Sequence, residues 1–569
     1  MGTARSATNG RRSGIVVAAV FAIISAYVIA APSAHAAVNC AWVGTGGGTL
    51  TITLTAGDAV TLALNGTNQI LVNGNPTDQA PCSLAAAHDT TDTDTIDVVG
   101  STGNDSVVID QNPAFPAAFS FGLSLAAGTD SVTVNGRTGV DTIFAGAGGI
   151  NLDADEATDD VDVTLAGVEN VTLNGLGGAD TISGAGGQGT GAVYPTALTI
   201  DGGALADTLT GGAGADTIQP GSGTDNDVID CGAGVDMLTY AGITSNLTVN
   251  LNTTAAQATG AGSDTITNCE DLTGGTGADV LTGTATANVL IGGAGADTLI
   301  GGGGDDSLQG GDGDDLLQPG VGNDTVTGGN NNDTVSYVDV SAAVTVDLSL
   351  TAAQNTGGAG SDTITTTENA TGGTAGDVLI GSPTNNRLDG GDGDDRLAGG
   401  LGDDALVGAN GDDSADYSTS AAAVTVDLTA GTATGEGTDT LATIEGVIGS
   451  GFADTILGSN ASNTIKGRGG NDSLRGLDGN DVLRGGEGDD AVAAGAGNDT
   501  VAGGSGNDTL RGGGGNDAVR GGGGNDRLTG GAGDDQLRAG AGNDTLRGGS
   551  GNDACKGGPG KDSERSCES

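Results

Sequence analysis

Gly503-Gly504-Ser505-Gly506-Asn507-Asp508-Thr509-Leu510 is the stretch that decides how this chain is read. Its acid recurs at every ninth residue: Asp454, Asn463, Asp472, Asp481, Asp490, Asp499, Asp508, Asp517, Asp526, Asp535, Asp544, Asp553 and Asp562. One Asn interrupts the acids, and the register never slips. Two residues after each of the first eleven comes an apolar side chain, from Ile456, Ile465, Leu474 and Leu483 through to Leu528, Leu537 and Leu546. Glycines fill the positions ahead of it. The unit is G-G-x-G-x-D-x-U-x, where U is a large apolar residue.

Each residue type has a physical reason for its place. Glycines allow positive φ and close backbone approach, so six residues can form a tight loop. The last three predict a very short strand with U facing a core. Two units make a coil of eighteen residues, and stacked coils pair their strands at about 4.8 Å. Asp472 then lies under Asp490, and Asp481 under Asp499. Two carboxylates about 5 Å apart repel by on the order of 1 kcal/mol in water, and by more near a low-dielectric interior. One aliphatic side chain per unit is a thin core to set against many such contacts, so the sequence requires a counterion. The ligands on offer are carboxylate and carbonyl oxygens, which suit a hard divalent cation. Ca²⁺ accepts about 6–8 oxygens in flexible geometry, whereas Mg²⁺ demands a strict octahedron. A Gly/Asp-rich disordered linker is the competing reading. It gives no reason for a nine-residue register or for an apolar residue at one phase.

The stretch resembles the RTX, or hemolysin-type, calcium-binding nonapeptide repeats. The resemblance implies an all-β fold, a parallel β-roll or β-solenoid of stacked nonapeptide coils. It also implies that Asp side chains and loop carbonyls of successive coils share each Ca²⁺, and that the chain folds on binding. The proposed ligands are the acids at the sixth position of the unit. They are Asp207, Asp216, Asp225 and Asp236 in a first run, where a two-residue slip precedes Asp236. A second run gives Asp297, Asp306, Asp315, Asp324 and Asp333, and a third gives Asp395, Asp404 and Asp413. The last gives Asp472, Asp481, Asp490, Asp499, Asp508, Asp517, Asp526, Asp535, Asp544 and Asp553. The last three runs open on Asp279, Asp377 and Asp454, and their second units carry Asn288, Asn386 and Asn463 without the glycines. Those second units are expected to bind no ion.

Residues 1–36 predict a secretory signal: Arg11 and Arg12, an apolar run from Ile15 to Ala31, then Ala34-His35-Ala36 as the cleavage site. A retained N-terminal anchor is the alternative. RTX proteins exported by type I machinery usually lack such a segment, so a Sec-type route is expected here. Residues 37–90 predict a small N-terminal β cap. Leu50 to Leu54 and Val60 to Leu64 alternate in polarity, and Cys40 and Cys82 flank the segment. Residues 91–200 predict a degenerate solenoid without reliable calcium loops. Asp94 and Asp105 are eleven residues apart there, as are Asp130 and Asp141. The acidic cluster of Asp153, Asp155, Glu156, Asp159, Asp160 and Asp162 lacks the offsets of an EF-hand and reads as a solvated loop or an ion site.

Repeats then fill 201–239, 274–336, 372–416 and 449–569. Three related inserts, 240–273, 337–371 and 417–448, separate them. Each opens on a Tyr (Tyr240, Tyr337, Tyr417) and carries an Asp (Asp264, Asp362, Asp439) followed six residues later by a Glu (Glu270, Glu368, Glu445). These inserts read as longer coils stapled by Tyr, or as a repeated binding surface. The six cysteines suggest local pairs, Cys40/Cys82, Cys231/Cys269 and Cys555/Cys567, in an oxidising exterior. In the last run Arg475, Arg484, Arg511, Arg520, Arg538 and Arg547 follow U. They read as an outward ladder easing carboxylate repulsion, or as a surface for an acidic polymer.

A net charge of −55 argues against nucleic acid and anionic membranes as partners. It suits a protein that carries many calcium ions. With the signal removed, His88 is the single histidine, which argues against His-rich zinc sites and Ser/His/Asp chemistry. The expectation is a secreted, extracellular, non-enzymatic protein with a structural or adhesive role toward a cell surface or matrix. The alternative is a β-helix polysaccharide lyase or epimerase with its active site near residues 91–200.

Overall fold

The computed structural model describes residues 39–43, 49–53, 59–64, 70–72, 94–100, 103–111, 119–152, 163–221 and 223–568. All belong to one compact unit spanning 36–569. The expected signal segment, the Cys40/Cys82 pair, His88 and the acidic cluster at 153–162 lie outside the described residues and side chains. No helix among the described residues is long and apolar enough to cross a membrane.

The described residues form strands and turns without a helix. A coil contributes one short strand to each of two sheets, and strands of successive coils pair in parallel. On one face of the last run, Leu474, Val492, Leu510, Leu528 and Leu546 stack in register. On the other, Ile465, Leu483, Val501, Val519 and Leu537 do the same. All ten are at most 2% exposed. The expected phase is therefore met: U points inward and its neighbours outward, as in the strand Ser473–Asp478. Full burial of one such aliphatic side chain stabilises by roughly 1.5–3 kcal/mol. The core is a double file of these residues.

The opening strands lie in two other sheets, which end at the first and second inserts. Asn39–Val43 pairs antiparallel with Thr49–Thr53, which runs parallel to Asp94–Val99. Ala59–Leu64 runs parallel to Ser106–Asp110 in the other sheet.

The inserts keep the phase of the coils by making four strands where a coil makes two. In the first, Ile266 continues the file of Ile229, and Leu272 continues that of Leu238. Its extra strand, Thr248–Asn250, starts a new sheet by pairing with Val280–Thr282. The sheet that ends there is covered by a hairpin strand, Gln257–Ala258, lying antiparallel to Ser263–Thr267. The second insert repeats the device with Thr345–Asp347 and Gln354–Gly357. In the third, Thr432–Thr434 pairs antiparallel with both Thr425–Asp427 and Thr438–Ala442, so one sheet runs through the insert. Covering an open edge removes a template for pairing with another chain.

Among the described residues two disulfides are formed. Cys231–Cys269 ties the last coil of the first run to the following insert. Cys555–Cys567 closes the final coil, whose ladder ends where Asp553 N–H donates to Glu568 Oε2 at 2.7 Å.

Candidate metal centre

The sixth-position acids other than Asp225 are turned inward and held by the coil before them. Asp472 N–H donates to Asp490 Oδ1 at 2.8 Å, Asp490 N–H to Asp508 Oδ1 at 2.9 Å, and Asp508 N–H to Asp526 Oδ1 at 2.9 Å. The second row runs from Asp481 through Asp499 and Asp517 to Asp535 with bonds of 2.8–3.0 Å. These carboxylates are 1–2% exposed. The ladder accounts for Oδ1 alone. Oδ2 is buried without a hydrogen-bond partner in Asp207, Asp236, all five acids of the second run from Asp297, all three from Asp395, and all ten from Asp472 to Asp553. A buried carboxylate oxygen with no partner is costly, so such groups in native proteins call for a bound ion, water or proton.

Backbone conformation four residues upstream decides which acids are left this way. In Asp279, Asp377 and Asp454 the loop is closed: Oδ2 accepts from the N–H of Gly275 at 2.7 Å, Gly373 at 2.5 Å and Ser450 at 2.6 Å. Asn288, Asn386 and Asn463 are closed in the same manner by Thr284, Ser382 and Ser459. In the open units the upstream residue has positive φ, such as 116° at Gly293 and 124° at Gly486, and its N–H does not reach the carboxylate. The position is so constrained that Leu176, Ala409, Arg468 and Leu477 adopt it as well, at φ of 68–86°. Asp130 alone has an unpartnered Oδ2 without this turn.

Two of the expected ligands fall outside the open set. Asp216 belongs to a closed loop, its Oδ2 accepting from Gly212 N–H at 2.5 Å. Asp225 is displaced from the ladder. The two-residue slip lies before Asp227, not before Asp236, and Asp227 Oδ1 receives the Asp207 N–H at 2.8 Å. Asp225 instead accepts from Leu205 N–H at 3.2 Å in the outer loop. The sequence held the signal: Asp227 is followed two residues later by Ile229, whereas Asp225 is followed by Asp227 itself. Conversely, Asp130 and Asp180 have buried, unpartnered Oδ2 atoms in the segment expected to lack reliable loops. Asp180 joins the ladder across 39 residues on one side and 27 on the other, so a search at fixed spacing passes over it.

Burial is the largest influence on these acids and drives their pKa upward. Asp207, Asp324, Asp395 and Asp472 are pushed up to about 7. The ladder N–H bond opposes the shift, and neighbouring carboxylates add to it. Without a counterion these positions favour a proton.

The surroundings of Oδ2 fit a hard cation. A Cβ built on Gly485 would collide with Asp490 Oδ2 and lie 2.7 Å from the Gly503 carbonyl oxygen. Gly503 stands in the same relation to Asp508 Oδ2 and the Gly521 carbonyl. Glycine thus keeps a space between carboxylate and carbonyl oxygens of successive coils. Among the described residues no three His, Cys, Asp or Glu side chains converge on one point, so main-chain carbonyls must supply much of any ligand set. An all-oxygen set suits calcium and excludes the soft-metal sites built from thiolates.

A parallel β-roll with files of inward, half-satisfied aspartates and glycine-lined spaces defines a calcium-binding repeat protein. The RTX calcium-binding nonapeptide repeat family matches segments from residue 124 to residue 564, together more than half of the chain. They include 124–149, 156–190 and 199–226, then 273–335, 371–415 and 448–564. The chain belongs to this family. Its match reaches back through the degenerate solenoid that holds Asp130 and Asp180. No curated protein matches the chain.

Proposed function

We propose that this chain is a secreted, non-enzymatic protein that binds many Ca²⁺ ions and folds as it binds them, serving a structural or adhesive role outside the cell. The observation that carries the reading is the file of buried Asp Oδ2 atoms without partners, from Asp472 to Asp553. A fold that leaves so many carboxylate oxygens unsatisfied is poorly stable alone, and a divalent ion supplies the missing interaction at each. Binding free energy then becomes folding free energy. The residues that would hold the ions are the open-loop aspartates, with carbonyls such as those of Gly503 and Gly521. The signal-like segment at 1–36 and the cysteine pairs support the extracellular assignment.

Far-UV circular dichroism of residues 37–569 during a calcium titration tests this, with magnesium as control. The expected result is a cooperative gain of β signal with calcium alone. A chain fully folded in calcium-free buffer overturns the coupling of folding to binding. Turnover of uronate polymers by the purified protein overturns the non-enzymatic assignment.

A further inference from the structure

In the repeat runs the position directly after U is exposed or half-buried except at Thr239, Ser336 and Asp416, which are buried, and its chemistry changes along the chain. In the earlier runs it holds Thr210, Gln219, Thr282, Ile300, Gln309, Gln318, Asp389 and Val407, among others, and no cation. In the last run it turns basic. One sheet presents Arg475, Ala493, Arg511, Thr529, Arg547 and Arg565 in register. The other presents Lys466, Arg484, Ala502, Arg520, Arg538 and Lys556. No acid interrupts either row, and the gaps are small neutral residues. All of the arginines in both rows are exposed. Among the described residues, the ion pairs engage Arg137, Arg387 and Arg396 and none of these side chains.

Relief of carboxylate repulsion does not explain the rows. The second run carries the same buried ladder, Asp297 to Asp333, without a single outward cation. Charge bookkeeping supplies another reason. Twelve of the chain's 18 lysines and arginines lie between 466 and 565. The acids of 466–568 divide into the eleven inward-turned ladder positions from Asp472 to Asp562 and six others: Asp478, Glu487, Asp489, Asp534, Glu564 and Glu568. When divalent ions neutralise the ladder, this segment changes from net acidic to net basic at its surface, although the whole chain stays acidic.

We infer that the calcium-loaded last run is a docking surface for an extended acidic polysaccharide, laid along one or both cation rows. This inference rests on the calcium-binding reading above. The rows are straight and offer one position per coil, about 4.8 Å apart. An extended polymer with regularly spaced carboxylate or sulfate groups can follow such a row over many residues. A nucleic acid duplex cannot, because its phosphates wind away around the helix axis while repeating at about 3.4 Å per strand.

The test is retention of residues 37–569 on immobilised dextran sulfate, a polymer chosen so that calcium bridging of uronates plays no part. Wild type is compared with a variant carrying R475Q, R484Q, R511Q, R520Q, R538Q and R547Q, and with R387Q as a control outside the rows. Circular dichroism in calcium first establishes that all three fold. The expected result is binding in calcium that the six-fold variant weakens by at least about tenfold, with a shallower salt dependence, since several ion contacts vanish together. R387Q binds as wild type does. Equal binding by wild type and the six-fold variant overturns the inference, as does duplex DNA competing better than free dextran sulfate. Failure to fold with calcium in the dichroism step counts against the calcium-binding reading instead, and the two failures are thereby told apart.

Discussion

Tyr337 donates its hydroxyl to Asp362 Oδ2 at 2.7 Å, and both residues are buried in the second insert. Thr356 donates to the same oxygen at 2.9 Å. Asp362 is a member of the ladder, since its Oδ1 receives the Asp324 N–H at 3.0 Å. The oxygen that is left open in the repeats is therefore satisfied here by hydroxyl groups of the protein. The first and third inserts do likewise, through Tyr240 on Asp264 and Tyr417 on Asp439. These coils complete their polar network without an ion and divide the roll into ion-dependent stretches.

Tyr337→Phe removes one of the two hydroxyls and keeps the ring. Losing one partner of a buried charged acceptor costs on the order of 1–3 kcal/mol. The variant is expected to melt at lower temperature in saturating calcium while its calcium stoichiometry by isothermal titration calorimetry stays that of wild type. A drop in stoichiometry with unchanged melting contradicts the assignment of this hydroxyl as an ion substitute.

Arg468 and Leu477 hold φ of 83° and 86° at positions where the family pattern has glycine. A left-handed residue with a Cβ costs roughly 1–2 kcal/mol. The open loops of Asp472 and Asp481 carry this strain, so Leu477→Gly is expected to raise calcium affinity and to shift the folding midpoint to lower calcium. The opposite change, Gly485→Ala, puts a methyl group against Asp490 Oδ2 and is expected to remove binding at that loop. Paired calcium titrations by circular dichroism read both. Coincident midpoints for Leu477→Gly, Gly485→Ala and wild type sink the role given to these loops.

Most of the fold was legible because one rule repeats. U at a fixed phase gives the inward file, and Leu474 to Leu546 stack as that phase requires. The aspartate ladder follows from the same period. What the period does not encode is the second carboxylate oxygen. Its state depends on one φ angle four residues upstream, and Gly275 and Gly293 are both glycine yet take different conformations. Composition therefore overstates the open set at Asp216. The inserts hide for a related reason. Asp264 and Glu270 continue two separate ladders, with Glu270 Oε2 receiving the Asp236 N–H at 3.0 Å, but their six-residue spacing breaks the nine-residue signal. The Asn of each second unit gains a physical reason too: Asn463 Nδ2 donates to the Glu445 carbonyl at 3.0 Å, where a carboxylate would repel it.

Asp490→Asn with Asp508→Asn separates ion binding from architecture. The amide oxygen can still accept the ladder N–H of Asp472 or Asp490, but the charge and the orphaned carboxylate oxygen are gone. The double variant is expected to be more folded than wild type in calcium-free buffer, because buried repulsion is reduced. In saturating calcium it is expected to be less stable, because ligands are lost. Thermal melts under the two conditions check the crossing. A variant that is destabilised equally in both has lost packing, not a metal site.

Protons and calcium compete for the same oxygens, and the sign of the pH effect follows from the pKa shifts. In the metal-free fold Asp207, Asp324, Asp395 and Asp472 titrate at about 7, against an ordinary value of 3.8. Between those values the folded chain binds more protons than the unfolded chain, so its stability falls as pH rises. The metal-free fold is therefore most favoured near pH 4 and progressively lost up to about pH 7. Calcium must displace these protons, so its apparent affinity falls as pH drops through the same window. Calcium-free circular dichroism at about pH 5.5 and pH 8 keeps the chain above its pI of 4.1. More β signal is expected at the lower pH, together with a calcium midpoint that moves to higher concentration there. A metal-free chain that gains structure on going to pH 8 shows that these carboxylates are not buried as the ladder requires.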